Sequence, residues 1–180
     1  MVENLEEAVS EVLLSEEDIR DINKRLGAEI TEDYKDKNLL MVSILKGSSL
    51  FMSDLMRNVK LVCPVDFMEV SSYSGVSSTG NVKIVKDLSI DIGDYDVLII
   101  EDILESGYTL ECVLRMLNSR NPRSIKICTL VDKPKRRKVK IKADYVGKEI
   151  GNEFVIGYGM DYNEKYRNLP FIGIMDPKYI

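Results

Sequence analysis

Residues 97–110 read VLIIEDILESGYTL, and the order of residue types within them decides the fold. Four apolar residues, Val97 to Ile100, run straight into Glu101 and Asp102; a third acid, Glu105, stands before Ser106-Gly107-Tyr108-Thr109. A short unbroken apolar run predicts a buried strand, and Leu110, Val113, Leu114 and Leu117 follow at helical spacing. The stretch therefore predicts strand, loop and helix in succession. The backbone N–H groups of residues 105–109, with the Ser106 and Thr109 hydroxyls, would form a nest at the helix N-terminus suited to a phosphate. The adjacent acids cannot share that anion, because like charges repel. They suit the hydroxyls of a sugar, or Mg²⁺.

The same alternation continues outward. Ser15-Glu16-Glu17-Asp18 predicts a capped helix start, with Ile19, Ile22, Leu26 and Ile30 along one face. Leu39 to Leu45 predicts a buried strand, followed by Lys46-Gly47-Ser48-Ser49 and a helix carrying Leu50, Phe51 and Leu55. Strands are predicted over 65–70 and 82–85, on either side of the Ser- and Gly-rich loop SSYSGVSSTGN at 71–81. Another is predicted over 124–131, ahead of a basic stretch from Lys133 to Lys142, and short late strands over 154–157 and 171–174. Strands alternating with helices predict an α/β fold with a mostly parallel sheet covered on both faces. Without an internal repeat or linker, residues 1–180 are expected to form one domain.

Composition narrows the chemistry. The formal net charge is −5, which argues against nucleic acid as a partner. The chain has no run of ~18 apolar residues, and its start lacks the basic region of a signal peptide, so a soluble cytoplasmic protein with no membrane partner is expected. There is no histidine. That excludes Ser-His-Asp and Cys-His nucleophile pairs and every His-containing zinc site. Cys63, Cys112 and Cys128 are widely spaced, and the last two sit in apolar patterns as small buried hydrophobes. Neither GxxxxGK[ST] nor GxGxxG is present, so a nucleoside-triphosphate P-loop and a dinucleotide fold are unsupported. In open α/β sheets ligands sit beyond the carboxyl ends of the strands, and three strand ends carry informative residues: Lys46-Gly47-Ser48, Glu101-Asp102 and Val131-Asp132-Lys133.

The run of four apolar residues, Glu-Asp, two apolar residues, an acid, then Ser-Gly resembles the phosphoribosyl-pyrophosphate signature of the type I phosphoribosyltransferases. SEEDI (15–19), ILKGSSLFMSDL (44–55), VDFMEVSSYSG (65–75), TLVDKPKRR (129–137) and FVIGYGMDYNEKYRNLPFIG (154–173) extend the likeness over nearly the whole chain. They resemble the hypoxanthine(-guanine) branch of that family. The resemblance implies the type I phosphoribosyltransferase fold: a mostly parallel twisted sheet flanked by helices, with a small hood built from terminal segments. It implies purine salvage, in which phosphoribosyl pyrophosphate and a 6-oxopurine give IMP or GMP and pyrophosphate with Mg²⁺, in a homodimer or homotetramer.

Site residues follow by resemblance. Residues 105–109 (Glu105, Ser106, Gly107, Tyr108, Thr109) would hold the 5′-phosphate, and Glu101 and Asp102 the ribose hydroxyls, directly or through metal. Leu45, Lys46 and Gly47 match the pyrophosphate loop, where the family often has a cis peptide between Leu45 and Lys46. Lys133 matches the lysine that binds the purine 6-oxo group, and Phe154 the aromatic that stacks on the base beside the Val155 backbone. Asp161 matches a residue at the purine and Mg²⁺–pyrophosphate side, so Glu101, Asp102 and Asp161 form the implied metal set. Arg167 would contact pyrophosphate. Ser72 and Tyr73 lie where a lid, residues 71–81, would close over pyrophosphate. Glu105, Lys133 and Arg167 would carry the chemistry, Glu105 by accepting the proton at purine N7.

Without that resemblance the same residues read differently. Lys133 would be a solvated lysine in a basic loop, as Lys135, Arg136, Arg137 and Lys138 are expected to be. Phe154 would be a core residue, and Asp161 and Arg167 surface charges. Position 105 is the departure, since the family usually has aspartate there. Glutamate adds a methylene and roughly 1.5 Å of reach, with little change in acidity (about 3.9 against about 4.3), so its role is expected to persist with an altered rotamer. A xanthine-preferring enzyme and a non-catalytic sugar-phosphate-binding regulator are the alternatives.

Overall fold

Two strands, β2 (Leu39–Leu45) and β5 (Asp96–Leu104), form the centre of the molecule in the computed structural model, which describes residues 5–72 and 82–180. Their apolar side chains alternate between two buried layers. Met41, Leu98 and Ile100 pack with helices α1 (Glu16–Tyr34) and α2 (Ser49–Asn58), through Ile19, Leu26 and Ile30 of the first and Phe51 and Leu55 of the second. Leu40, Val42, Val97 and Ile99 pack on the opposite face against Leu110, Val113 and Leu117 of α3 (Tyr108–Asn118). Each such side chain contributes about 1.5–3 kcal/mol on burial, which is why these runs take the centre and the polar-faced strands the edges. Ser15 caps α1 through a reciprocal pair: Asp18 N–H donates to its hydroxyl at 3.2 Å, and its own N–H donates to Asp18 at 2.9 Å.

The main sheet has the order β4-β3-β2-β5-β6-β7, with β3 at Val65–Ser72, β4 at Val82–Lys86, β6 at Ser124–Asp132 and β7 at Tyr145–Glu149. All neighbours are parallel except β3 and β4. From β2 the chain moves outward to β3, whereas from β5 it moves the other way to β6, so the winding reverses between the two central strands. That switch point is where an open parallel sheet forms a crevice. The register deepens it. β5 pairs with β2 only as far as Ser43 opposite Ile100, but with β6 as far as Leu104 opposite Asp132. Glu101 to Leu104 thus remain strand on one side and lack a β2 partner on the other. The apolar run alone ends the strand at Ile100; pairing with the far end of β6 carries it four residues on.

A second, antiparallel sheet of order β1-β9-β8 joins the two ends of the chain: β1 is Val9–Leu14, β8 Val155–Ile156 and β9 Ile172–Met175. This is the hood expected from the terminal segments. β1 and β7 are absent from the sequence-based expectation, because VSEVLL is mostly exposed and YVGKE lacks a hydrophobic run. Cys112 and Cys128 are buried, as expected. No helix among the described residues is long and apolar enough to cross a membrane.

Candidate active site

The crevice is formed by the carboxyl ends of β2, β5 and β6, with the hood above. Glu101 and Asp102 lie in its middle, on the strand segment without a β2 partner. Both keep some exposure to the cleft, but protein encloses them elsewhere. Burial, then the neighbouring Asp102 charge, raises the Glu101 pKa well above the ordinary carboxylate range. Burial likewise pushes Asp102 up to about 6, against the opposing pull of its hydrogen bond from Ile103 N–H (2.9 Å) and of Arg167. Asp161 raises it slightly further. Such paired, reluctantly ionised acids are what a cation or hydrogen-bonding hydroxyls would relieve.

The β2 end supplies the Leu45-Lys46-Gly47 loop, and the Leu45–Lys46 peptide is cis, as the resemblance implied. The loop passes so close to Asp102 that a Cβ on Gly47 would lie 1.9 Å from the Asp102 Oδ2. Any larger residue there would force the Asp102 carboxylate or the loop to shift. Lys46 extends into the open and its ammonium meets Glu164 Oε2 at 3.1 Å. From the hood, Arg167 donates to the Gly159 carbonyl at 2.7 Å and pairs with Asp161 Oδ1 at 2.8 Å and Glu164 Oε1 at 3.2 Å. Glu164, which sequence reasoning did not single out, therefore joins the two cations assigned to pyrophosphate. Its position within DYNEKYR, three residues before Arg167, is the signal that could have found it.

The β5 end supplies the 105–109 loop. Gly107 caps α3 in the left-handed conformation at φ +84°, which turns the chain sharply into the helix. Ser106, Gly107 and Thr109 line a cavity of about 230 Å³ together with Glu101 and Glu105. Behind the loop stands Arg137, and here the sequence-based expectation is corrected. Arg137 is not part of a solvated face: its side chain is 12% exposed and its guanidinium binds the Glu105 carbonyl and the Asp132 carboxylate. Lys135, Arg136 and Lys138 are exposed, as expected.

The β6 end supplies Lys133. It is 2% exposed, so the solvated reading fails here as well, and its ammonium is hydrogen-bonded to Glu105 Oε1. The Glu105 side chain is thus turned toward that lysine. Both groups line a cavity of about 160 Å³ with Asp102, Phe154, Val155 and Asp161. Phe154 is 41% exposed at the cavity edge, set edge-on to Tyr162 at 5.6 Å between ring centroids, rather than buried as a core residue. Val155 is buried behind it in β8. Among the described residues no three His, Cys, Asp or Glu side chains form a metal cluster. The structure thus brings together Glu101, Asp102, Glu105, Lys133, Phe154, Val155 and Asp161 around adjoining cavities, with Lys46 and Arg167 at the rim. Tyr108, the first residue of α3, is half-exposed. Ser72 ends β3, whereas Tyr73 and most of the expected lid, 73–81, lie outside the described residues.

The phosphoribosyl transferase domain model matches residues 10–163. The chain belongs to that family. It is 56% identical to a hypoxanthine-guanine phosphoribosyltransferase of Staphylococcus aureus over 171 residues, 94% of this chain and 96% of the relative. A solved hypoxanthine phosphoribosyltransferase from Staphylococcus aureus superposes with a TM-score of 0.95 at 54% identity, covering 99% of this chain and 98% of the other. A solved hypoxanthine-guanine phosphoribosyltransferase from Bacillus anthracis, with HEPES in its active site, gives 0.90 at 41% identity, covering 93% and 99%. The fold is that of a type I phosphoribosyltransferase.

Proposed function

We propose that this protein transfers the 5-phosphoribosyl group from phosphoribosyl pyrophosphate to N9 of hypoxanthine and guanine, giving IMP or GMP and pyrophosphate in purine salvage. One observation carries the reading: a buried lysine and a loop carboxylate are paired in a small cavity edged by an exposed aromatic, directly beside a helix-capping loop suited to phosphate. An ammonium and a carboxylate side by side match the 6-oxo acceptor and the N7 proton of a 6-oxopurine. Phe154 offers its ring to the base, and Val155 supplies backbone at the edge.

The sugar phosphate would sit with its 5′-phosphate on Ser106, Gly107, Tyr108 and Thr109 and its hydroxyls toward Glu101 and Asp102. Lys46, Gly47 and Arg167 would receive pyrophosphate, with Leu45, Ser72 and Tyr73 beside it and residues 71–81 closing as a lid. Lys46 and Arg167 neutralise the charge that develops on the leaving oxygen as the C1′–O bond breaks. Glu105 accepts the N7 proton as N9 bonds to C1′, a relay typically contributing ~10²–10⁴-fold. Holding the base and C1′ in line supplies much of the remainder. Glu101, Asp102 and Asp161 would hold Mg²⁺, which would supply charge neutralisation of the pyrophosphate. Residues 1–180 are read as one domain, in a cytoplasmic homodimer or homotetramer that binds no nucleic acid.

The test is an assay of phosphoribosyl transfer to hypoxanthine, guanine, xanthine and adenine with Mg²⁺. Turnover with hypoxanthine and guanine, and none with adenine, is expected. No turnover with any 6-oxopurine would overturn the assignment, and xanthine as the best acceptor would replace the proposed specificity.

A further inference from the structure

Arg137 makes contacts that the residues assigned to substrate do not explain. β6 ends at Asp132, a short turn of 3₁₀ helix (Pro134–Arg136) reverses the chain, and Arg137 returns behind the 105–109 loop. All three guanidinium nitrogens are used: Nε donates to the Ile141 carbonyl at 3.1 Å, one Nη to the Glu105 carbonyl and the other to the Asp132 carboxylate. The next residue continues the pattern, with Lys138 N–H donating to the Ser106 carbonyl at 2.9 Å. The residue after that completes it. A Cβ on Gly107 would lie 2.8 Å from Val139 and 3.2 Å from Arg137 Cδ. Three successive residues, 137 to 139, thus back three successive residues of the loop, 105 to 107.

Peptide geometry turns that backing into function. A planar trans peptide points its C=O and the next N–H in opposite directions. Holding the carbonyls of Glu105 and Ser106 against Arg137 and Lys138 therefore turns the N–H groups of Ser106 and Gly107 the other way, and withdraws two negative carbonyl ends from that side. A loop bearing a phosphate needs both. Arg137 pairs with Asp132, so its own charge is largely spent, and its planar fork suits it to serve several acceptors in fixed geometry. Lys133 lies four residues upstream on the same segment, with its N–H on the Leu104 carbonyl at 3.0 Å. Lys133 is thus held by its own backbone bond, while Arg137 and Lys138 back the phosphate-side loop.

We propose that Arg137 is a positioning residue for the sugar-phosphate loop, acting through the Glu105 carbonyl. This rests on the function proposed above. Arg137→Ala, Arg137→Lys and, as a control, Lys135→Ala are compared with the parent chain in steady-state kinetics and in binding of ribose 5-phosphate. Arg137→Ala is expected to raise KM for phosphoribosyl pyrophosphate and weaken ribose 5-phosphate about tenfold, with KM for hypoxanthine within about threefold and partial recovery on adding guanidinium ion. Lysine offers a point charge for three acceptors and should recover little; Lys135→Ala should change nothing. An unchanged KM for phosphoribosyl pyrophosphate in Arg137→Ala, or an equal loss for both substrates that guanidinium does not relieve, overturns the proposal. Should the alanine variant not fold, Arg137→Lys decides: a raised KM at a parent-like Tm supports the role, and an unchanged one removes it. A parent chain inactive with every 6-oxopurine refutes the function; an active parent with an unaffected variant refutes only the role of Arg137.

Discussion

The two loops proposed to bind anions stand at the ends of neighbouring strands and are held in opposite ways. The 105–109 loop is fixed from behind: its carbonyls are bound by a largely buried arginine and by a backbone N–H. The 45–47 loop is fixed by close approach, Gly47 lying against Asp102, while the charge it presents stays exposed on Lys46 and is met by an equally exposed Glu164. An exposed ion pair contributes little and exchanges easily for another anion, whereas a buried guanidinium with several acceptors does not. The contrast matches the proposed roles. The 5′-phosphate stays bound through substrate and product, but pyrophosphate has to leave.

The sharpest way to break that contrast is at the buried side. Lys133→Met removes the ammonium that binds Glu105, and kcat/KM for hypoxanthine should fall by about 10³-fold, with KM for phosphoribosyl pyrophosphate within about threefold, in steady-state assays. A similar loss for both substrates would mean that the lysine holds up the phosphate loop as well. Next comes the packed side. Gly47→Ala places a methyl against the Asp102 carboxylate, so either the pyrophosphate loop or that acid must shift. KM for phosphoribosyl pyrophosphate should rise about 10–100-fold while ribose 5-phosphate binding changes less; equal changes would erase the distinction between the loops.

Between the loops, Glu101 and Asp102 should make the chain less stable. An ordinary aspartate near 3.8 is shifted to about 6 in Asp102 by burial, so between those values the folded chain binds more protons than the unfolded one. Stability from this group is therefore present below pH 4 and lost as pH rises toward 6. Asp102→Asn is spared that loss. With magnesium chelated, its Tm should exceed the parent's by roughly 5 °C at pH 7.5 and by little at pH 4, even though sugar-phosphate turnover disappears. Calorimetry showing the same difference at both pH values would remove burial of the charge as the cause. The smallest effect belongs to the exposed pair: Glu164→Gln should tighten pyrophosphate about two- to threefold and leave Tm within about 2 °C. Weaker pyrophosphate binding by titration would make Glu164 a ligand-side support instead of a competitor for Lys46 and Arg167.

Local patterns made much of this legible in one dimension. Apolar runs marked β2, β5 and β6, helical spacing marked α1 and α3, and the acid pair with Ser-Gly behind it marked a strand end suited to a ligand. What failed were the residues whose character depends on a distant partner. Lys133 and Arg137 lie in a run of basic residues with nothing local to separate them from Lys135 or Lys138. Both are drawn inward by Glu105 at the end of neighbouring β5, Lys133 by its carboxylate and Arg137 by its carbonyl, with Asp132, five residues before Arg137, taking the rest of the guanidinium. β1 was missed for a similar reason, since its pairing with β9 joins opposite ends of the chain.

The sequence by itself determined the strand-loop-helix order, the acids of the crevice, the absence of histidine chemistry and the glycines at the tight turns, because these depend on residue type and near neighbours. Tertiary structure alone decided that β5 extends four residues past its apolar run, that Glu105 pairs with Lys133, and that one arginine in a basic stretch is turned inward. Those outcomes depend on which backbone and side-chain groups meet across strands far apart in the chain, and no local spacing records that.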